Sequence, residues 1–102
     1  MVKASDGGEG LEMARRHLPD LIVLDLMLPG MNGFDVVDRL QQEEAVAAIT
    51  ILVLTSMDLS ATARARLAGK VWRIVEKGSL SSQEYIRLVE SAIGTTVTEI
   101  AQ

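Results

Sequence analysis

The apolar positions of this chain follow two alternating rhythms. Short unbroken runs of Val, Ile and Leu recur between stretches whose apolar residues are spaced three and four apart. The densest run is Leu21-Ile22-Val23-Leu24-Asp25-Leu26-Met27-Leu28, closed by Pro29-Gly30. Seven of its eight residues are apolar. So short a run, bounded by turn residues, predicts a strand buried on both faces. Thr50-Ile51-Leu52-Val53-Leu54-Thr55 predicts a second strand and Val71–Glu76 a third. Val2-Lys3-Ala4 has room only for the end of a strand.

The intervening stretches carry helical stripes. Asp6 followed by Glu9 reads as a capping box that opens a helix with Leu11, Ala14 and Leu18 on one face, stopped by Pro19. Met31-Asn32-Gly33 is turn chemistry, and a helix follows from about Phe34 with Phe34, Val37 and Leu40 inward. Ser60 is the expected N-cap of a helix bearing Leu59, Ala63 and Leu67, with Gly69 as its stop. Ser81-Ser82-Gln83-Glu84 is a second capping box, opening a helix with Tyr85, Leu88, Val89 and Ala92 inward and Gly94 at its end. The tail, residues 95–102, is β-prone and fits a strand, a linker or a helical extension. Strands and helices alternating at this spacing imply right-handed βαβ units and a parallel α/β sheet in one domain, residues 1–94, with the tail beyond it.

Composition narrows the function. Net charge is −4 with no basic run, which argues against nucleic acid and anionic membranes as partners. The absence of cysteine excludes disulfides and thiolate metal sites and fits a cytoplasmic setting. No apolar run reaches transmembrane length. The lone His17 sits beside Arg15 and Arg16 and reads as a solvated surface residue. Trp72 reads as a packing residue.

Asp25 is the exception inside its apolar run, and a buried carboxylate is costly unless it is compensated. Its position near the strand's C-terminal end suggests a use, because parallel α/β sheets bind ligands outside that edge. Thr55 with Ser56, and Lys77, stand at the ends of the other two strands. Taken singly, each reads as a strand terminus or a structural ion pair. Together on one edge they suit transfer of a phosphoryl group to a carboxylate. Asp25 is then the nucleophile, Thr55 a hydrogen-bond donor and Lys77 a point charge on a phosphoryl oxygen. A haloacid-dehalogenase type of phosphatase would need a second acid at position 27, which is Met. A flavin site would need a hydroxyl-rich phosphate loop and stacking aromatics, and the chain has neither.

The stretch from Pro19 to Phe34 resembles the phosphoacceptor strand and loop of bacterial two-component response-regulator receiver (CheY-like) domains. Leu52-Val53-Leu54-Thr55-Ser56 resembles their switch strand, Lys77 their lysine, and Asp6-Gly7-Gly8-Glu9-Gly10-Leu11 the start of their second helix. The resemblance runs from about Val2 to Gly94. It implies a flavodoxin-like (CheY-like) doubly wound parallel sheet and a part in phosphorelay signalling rather than an enzyme's turnover. It also implies Asp25 as phosphoacceptor from a histidine kinase, Thr55 as switch hydroxyl and Lys77 as phosphate-binding residue. Mg²⁺ would be held at Asp25 and the backbone carbonyl of Met27.

The departures carry their own expectations. The family's first strand, which ends in two Mg²⁺-holding acids, and its first helix have no counterpart here, so the fold is expected to be incomplete and the metal site weak. Val75 replaces the aromatic usual two residues before the lysine, and Gly78 the usual proline. Lys77-Gly78-Ser79-Leu80-Ser81 looks more like receivers attached to hybrid histidine kinases. In the family order the missing strand lies beside Leu21–Leu26, which would become an unpaired, sticky edge. The expectation is a homo-oligomer, formed by pairing that strand or by exchanging segments; the alternative is that the tail Thr95–Ile100 covers the edge. The rival expectation is a degenerate receiver that works as a protein-interaction module without phosphorylation.

Overall fold

The computed structural model describes residues 2–27, 32–55, 59–76, 81, 83, 84, 87 and 97–100. Its elements run β1 (Val2–Ala4), α1 (Gly7–His17), β2 (Leu21–Asp25), α2 (Gly33–Gln42), β3 (Thr50–Thr55), α3 (Ala61–Leu67), β4 (Arg73–Glu76) and β5 (Val97–Ile100). The strands form one sheet in the order β1-β5-β2-β3-β4, with every neighbouring pair parallel.

The strands follow the β-branched and aliphatic runs. Alternate side chains point to opposite faces. Ala4, Ile22, Leu24, Ile51, Val53 and Ile100 join Leu11 and Ala14 of α1, Val36, Val37 and Leu40 of α2 and Leu67 of α3 in one core cluster. The other register of β2 and β3 is buried as well, at Leu21, Val23 and Leu52. That double burial is what an uninterrupted apolar run demands.

The helices begin where side chains satisfy their free N–H groups. Asp6 accepts from the Glu9 N–H at 2.8 Å, Asn32 from the Asp35 N–H at 3.0 Å and Ser60 from the Ala63 N–H at 3.1 Å. Farther along, the capping box is reciprocal. The Ser81 N–H donates to Glu84 Oε1 at 3.3 Å, and the Glu84 N–H donates to Ser81 Oγ at 3.2 Å. Its expected inward residues Tyr85, Leu88, Val89 and Ala92 lie outside the described residues. The helical termini are also joined across the fold. Arg15 Nε donates to both carboxylate oxygens of Glu43, at 2.8 and 3.0 Å. Asp38 of α2 receives Lys70 at 2.9 Å and Arg66 of α3 at 3.2 Å.

Three expectations are corrected. Leu21–Leu26 is not an edge: β2 pairs with β3 on one side and with β5 on the other. The tail segment Val97–Ile100 lies in register beside Leu21–Leu24 and so meets the backbone groups that would otherwise stand open. The ground for a homo-oligomer by pairing of strand 21–26 is thereby removed. Leu18 does not extend the inward stripe. It caps α1 in the left-handed region, at φ 44°, and is 55 % exposed. Its N–H bonds to the Ala14 carbonyl, and Pro19 prevents continuation. Trp72 is not a packing residue. It precedes β4, is 42 % exposed, and lies under the Arg73 guanidinium, 5.0 Å from the ring centre.

One buried group is mismatched. Thr98 is fully buried between Val2 and Ile22 in register, and its Oγ1 has no hydrogen-bond partner among the described residues. An unmet buried hydroxyl costs about 1–3 kcal/mol.

Two outcomes follow. L18G relieves a left-handed leucine whose strain is roughly 1–2 kcal/mol, offset partly by the entropy glycine gains when unfolded. Urea unfolding should show a net gain of about 0.5–1 kcal/mol. The Lys70 hydrogen bond above all holds the Asp38 carboxyl below its usual range, opposed by desolvation and reinforced to a lesser degree by Arg66. Its contribution is therefore present above the ordinary carboxylate pKa and fades as pH falls through the lowered one. The difference in stability between wild type and D38N, at most about 1 kcal/mol for exposed partners, should persist at neutral pH and vanish in acid.

Candidate functional site

The C-terminal ends of β2, β3 and β4 lie side by side because the three strands are parallel neighbours. Asp25 pairs in register with Leu54, so Thr55 stands one position farther along the adjacent strand. Thr55 pairs with Glu76, the last residue of β4. Asp25 is 5 % and Thr55 3 % exposed. The sheet thus brings Asp25 and Thr55 to one edge, as expected. Lys77, the third residue of the expected site, follows Glu76 in sequence and lies outside the described residues, as does Ser56.

The loop after Asp25 is pinned at both ends. Asp25 Oδ1 accepts the Met27 N–H at 2.9 Å, a local turn that fixes the carboxylate's orientation. The Leu26 N–H donates to the Leu54 carbonyl at 3.1 Å, carrying the ladder one residue past Asp25. The Leu26 carbonyl in turn accepts the Gly33 N–H at 3.1 Å, so the chain returns to the strand end before entering α2. This return requires glycine: a Cβ at position 33 would stand 2.6 Å from Leu26 Cα. Met27 itself is exposed.

Carboxylate and hydroxyl at one strand edge suit a tetrahedral anion attached to the carboxylate. The oxygens available for a cation are fewer. Asp25 and the Met27 carbonyl would supply two, whereas Mg²⁺ wants near-octahedral oxygen coordination. Among the described residues no three His, Cys, Asp or Glu side chains gather as a metal site. The residues described do not by themselves make a complete Mg²⁺ site.

Sequence reasoning missed Asn32 as a cap and Asp38 as a junction between helices. Asn32 was legible in principle, since Asn before Gly with an acid three positions on is a capping pattern. Asp38 gave no comparable signal, because its partners Arg66 and Lys70 are distant in sequence.

Comparison with known proteins agrees with this geometry. The sequence profile of the response regulator receiver domain matches residues 1–90. Protein PilH of Pseudomonas aeruginosa is 34 % identical over 58 residues, 57 % of this chain and 48 % of PilH. Hybrid signal transduction histidine kinase D of Dictyostelium discoideum is 46 % identical over 56 residues, 55 % of this chain and 4 % of that protein. The chain thus aligns with about half the length of PilH and with a small part of the kinase. The beryllofluoride-activated receiver domain of RstA from Klebsiella pneumoniae superposes with a TM-score of 0.70 at 26 % identity, covering 87 % of this chain and 74 % of that one.

The pinned loop has a direct test. In G33A the new methyl group meets the Leu26 backbone, which cannot move without breaking the strand end. Denaturant unfolding should show a loss of about 2 kcal/mol or more, in the range of overpacking. A neutral G33A would contradict the close return described.

Proposed function

Because this chain belongs to the response regulator receiver domain family, we propose that Asp25 accepts a phosphoryl group from a phosphohistidine of a histidine kinase or a phosphotransfer protein. Receiver domains are signalling domains of two-component systems, and as a class they bind Mg²⁺ for phosphorylation. The reading for this chain rests on one observation. A buried aspartate ends a central strand with the hydroxyl residue of the next strand's end beside it.

In the transfer, an Asp25 carboxylate oxygen attacks phosphorus, the P–N bond breaks, and its electron pair returns to the imidazole nitrogen. Thr55 Oγ1 donates to an oxygen of the transferred group. Lys77 offsets the charge that group brings. The Met27 N–H donates to Oδ1 and so fixes the orientation of the carboxylate. No step is assigned to the metal, since Asp25 and the Met27 carbonyl leave its coordination incomplete. Phosphorylation is accordingly expected to be slow. The sequence around Lys77 and the similarity to the Dictyostelium protein favour a hybrid histidine kinase as the setting.

A second reading is a degenerate receiver that serves as an interaction module. The observation favouring it is the same shortage of acids: β5, which lies beside β2, brings Thr98 and Glu99, with Glu99 opposite Val23 rather than at the strand end.

Incubation with acetyl phosphate and Mg²⁺, read by intact mass, separates the two. The phosphorelay reading requires a single phosphoryl adduct, absent in D25N. T55V should slow its formation about 10²-fold, the usual loss of one positioned donor. No adduct at high phosphodonor and Mg²⁺ would leave the interaction module as the reading.

A further inference from the structure

β5 is a four-residue segment near the chain's C-terminus, yet it occupies an interior place in the sheet. Its backbone pairs with β1 on one side and β2 on the other, through Val2↔Thr98, Lys3↔Glu99 and Ala4↔Ile100 and through Leu21↔Val97 to Leu24↔Ile100. Among the described residues β1 has no other sheet neighbour. Removal of β5 would open two strand edges together and expose the apolar floor made by Ala4, Ile22 and Leu24. Such a slot does not stay empty in water.

Two features describe how the slot holds its strand. Ile100 seats in a socket over α1 that glycine creates, since a Cβ at Gly10 would fall on the Ile100 side chain. Two residues earlier, the buried Thr98 hydroxyl finds no partner among the described residues between Val2 and Ile22. The strand is thus shape-matched at one point and polarity-mismatched at another.

We propose that β5 is an exchangeable strand, and that the slot between β1 and β2 takes residues 97–100 of a second copy of this chain as well as its own. The occupant is identical in register and chemistry, so exchange loses no contact within the slot, and the identical element is the low-cost route to a dimer. This is distinct from edge-to-edge pairing of β2, which β5 precludes. It is also independent of phosphorylation at Asp25.

The test uses the full chain. Copies labelled with carbon-13 and nitrogen-15 are mixed with unlabelled copies at several hundred micromolar, and isotope-filtered nuclear Overhauser spectra are followed over time. A cross-peak between the Ile100 methyls of one copy and the Gly10 α-protons of another, growing with concentration, is expected. T98V removes the unmet hydroxyl and should slow its growth about tenfold. G10A crowds the Ile100 socket and should speed it. The final fraction exchanged should change little in either variant, because the same contacts are made in the closed and exchanged forms. An Ile100–Gly10 cross-peak confined to single copies at every concentration overturns the proposal. So does the absence of that cross-peak in uniformly labelled protein, which would mean that the tail does not occupy the slot.

Discussion

A parallel strand buried on both faces must have its hydrogen-bonding groups met on both edges, because no water reaches them. β2 is that strand here. β3 satisfies one side and β5 the other, over Leu21–Leu24. The rest of the molecule depends on this double pairing. It lets Ile22 and Leu24 form the floor on which α1 and α2 pack. It also holds Asp25 at a strand terminus instead of on a ragged margin.

Much of this was legible in the order of residues, for local reasons. Asp6, Ser60 and Ser81 announce helix starts because their side chains reach N–H groups only three residues away. The runs at 21–25 and 50–55 announce strands because apolarity without helical spacing leaves few other structures. Asp25 and Thr55 were legible as companions because parallel strands put like ends on one edge. The place of Val97–Ile100 was legible only as one alternative, a tail covering the edge of Leu21–Leu26. Strand propensity says that a segment pairs, not with whom, and this one carries Thr98 and Glu99 among its four residues. The error at Leu18 came from extending a helical stripe into a residue that Pro19 forces out of the helix. Trp72 was misjudged because aromatic character alone does not reveal that Arg73 shields its exposed ring.

The helices that follow the ends of β2 and β3 are not independent bodies. α2 follows the loop that leaves Asp25, and α3 follows β3 and its Thr55. Asp38 binds both Arg66 and Lys70, and Arg66 also lies over the Phe34 ring at 4.8 Å. One carboxylate and one guanidinium thus join the two helices that follow these strands.

The pairing of Val2 with Thr98 joins positions 96 apart (98 − 2) in a chain of 102 residues. During synthesis β1 emerges well before β5, its sheet partner. Until then, both its edge and the adjacent flank of β2 are open. Contacts of such long separation also carry the largest loop-closure cost and slow folding. Completion of the sheet thus waits on a contact that spans 96 positions (98 − 2) of the chain.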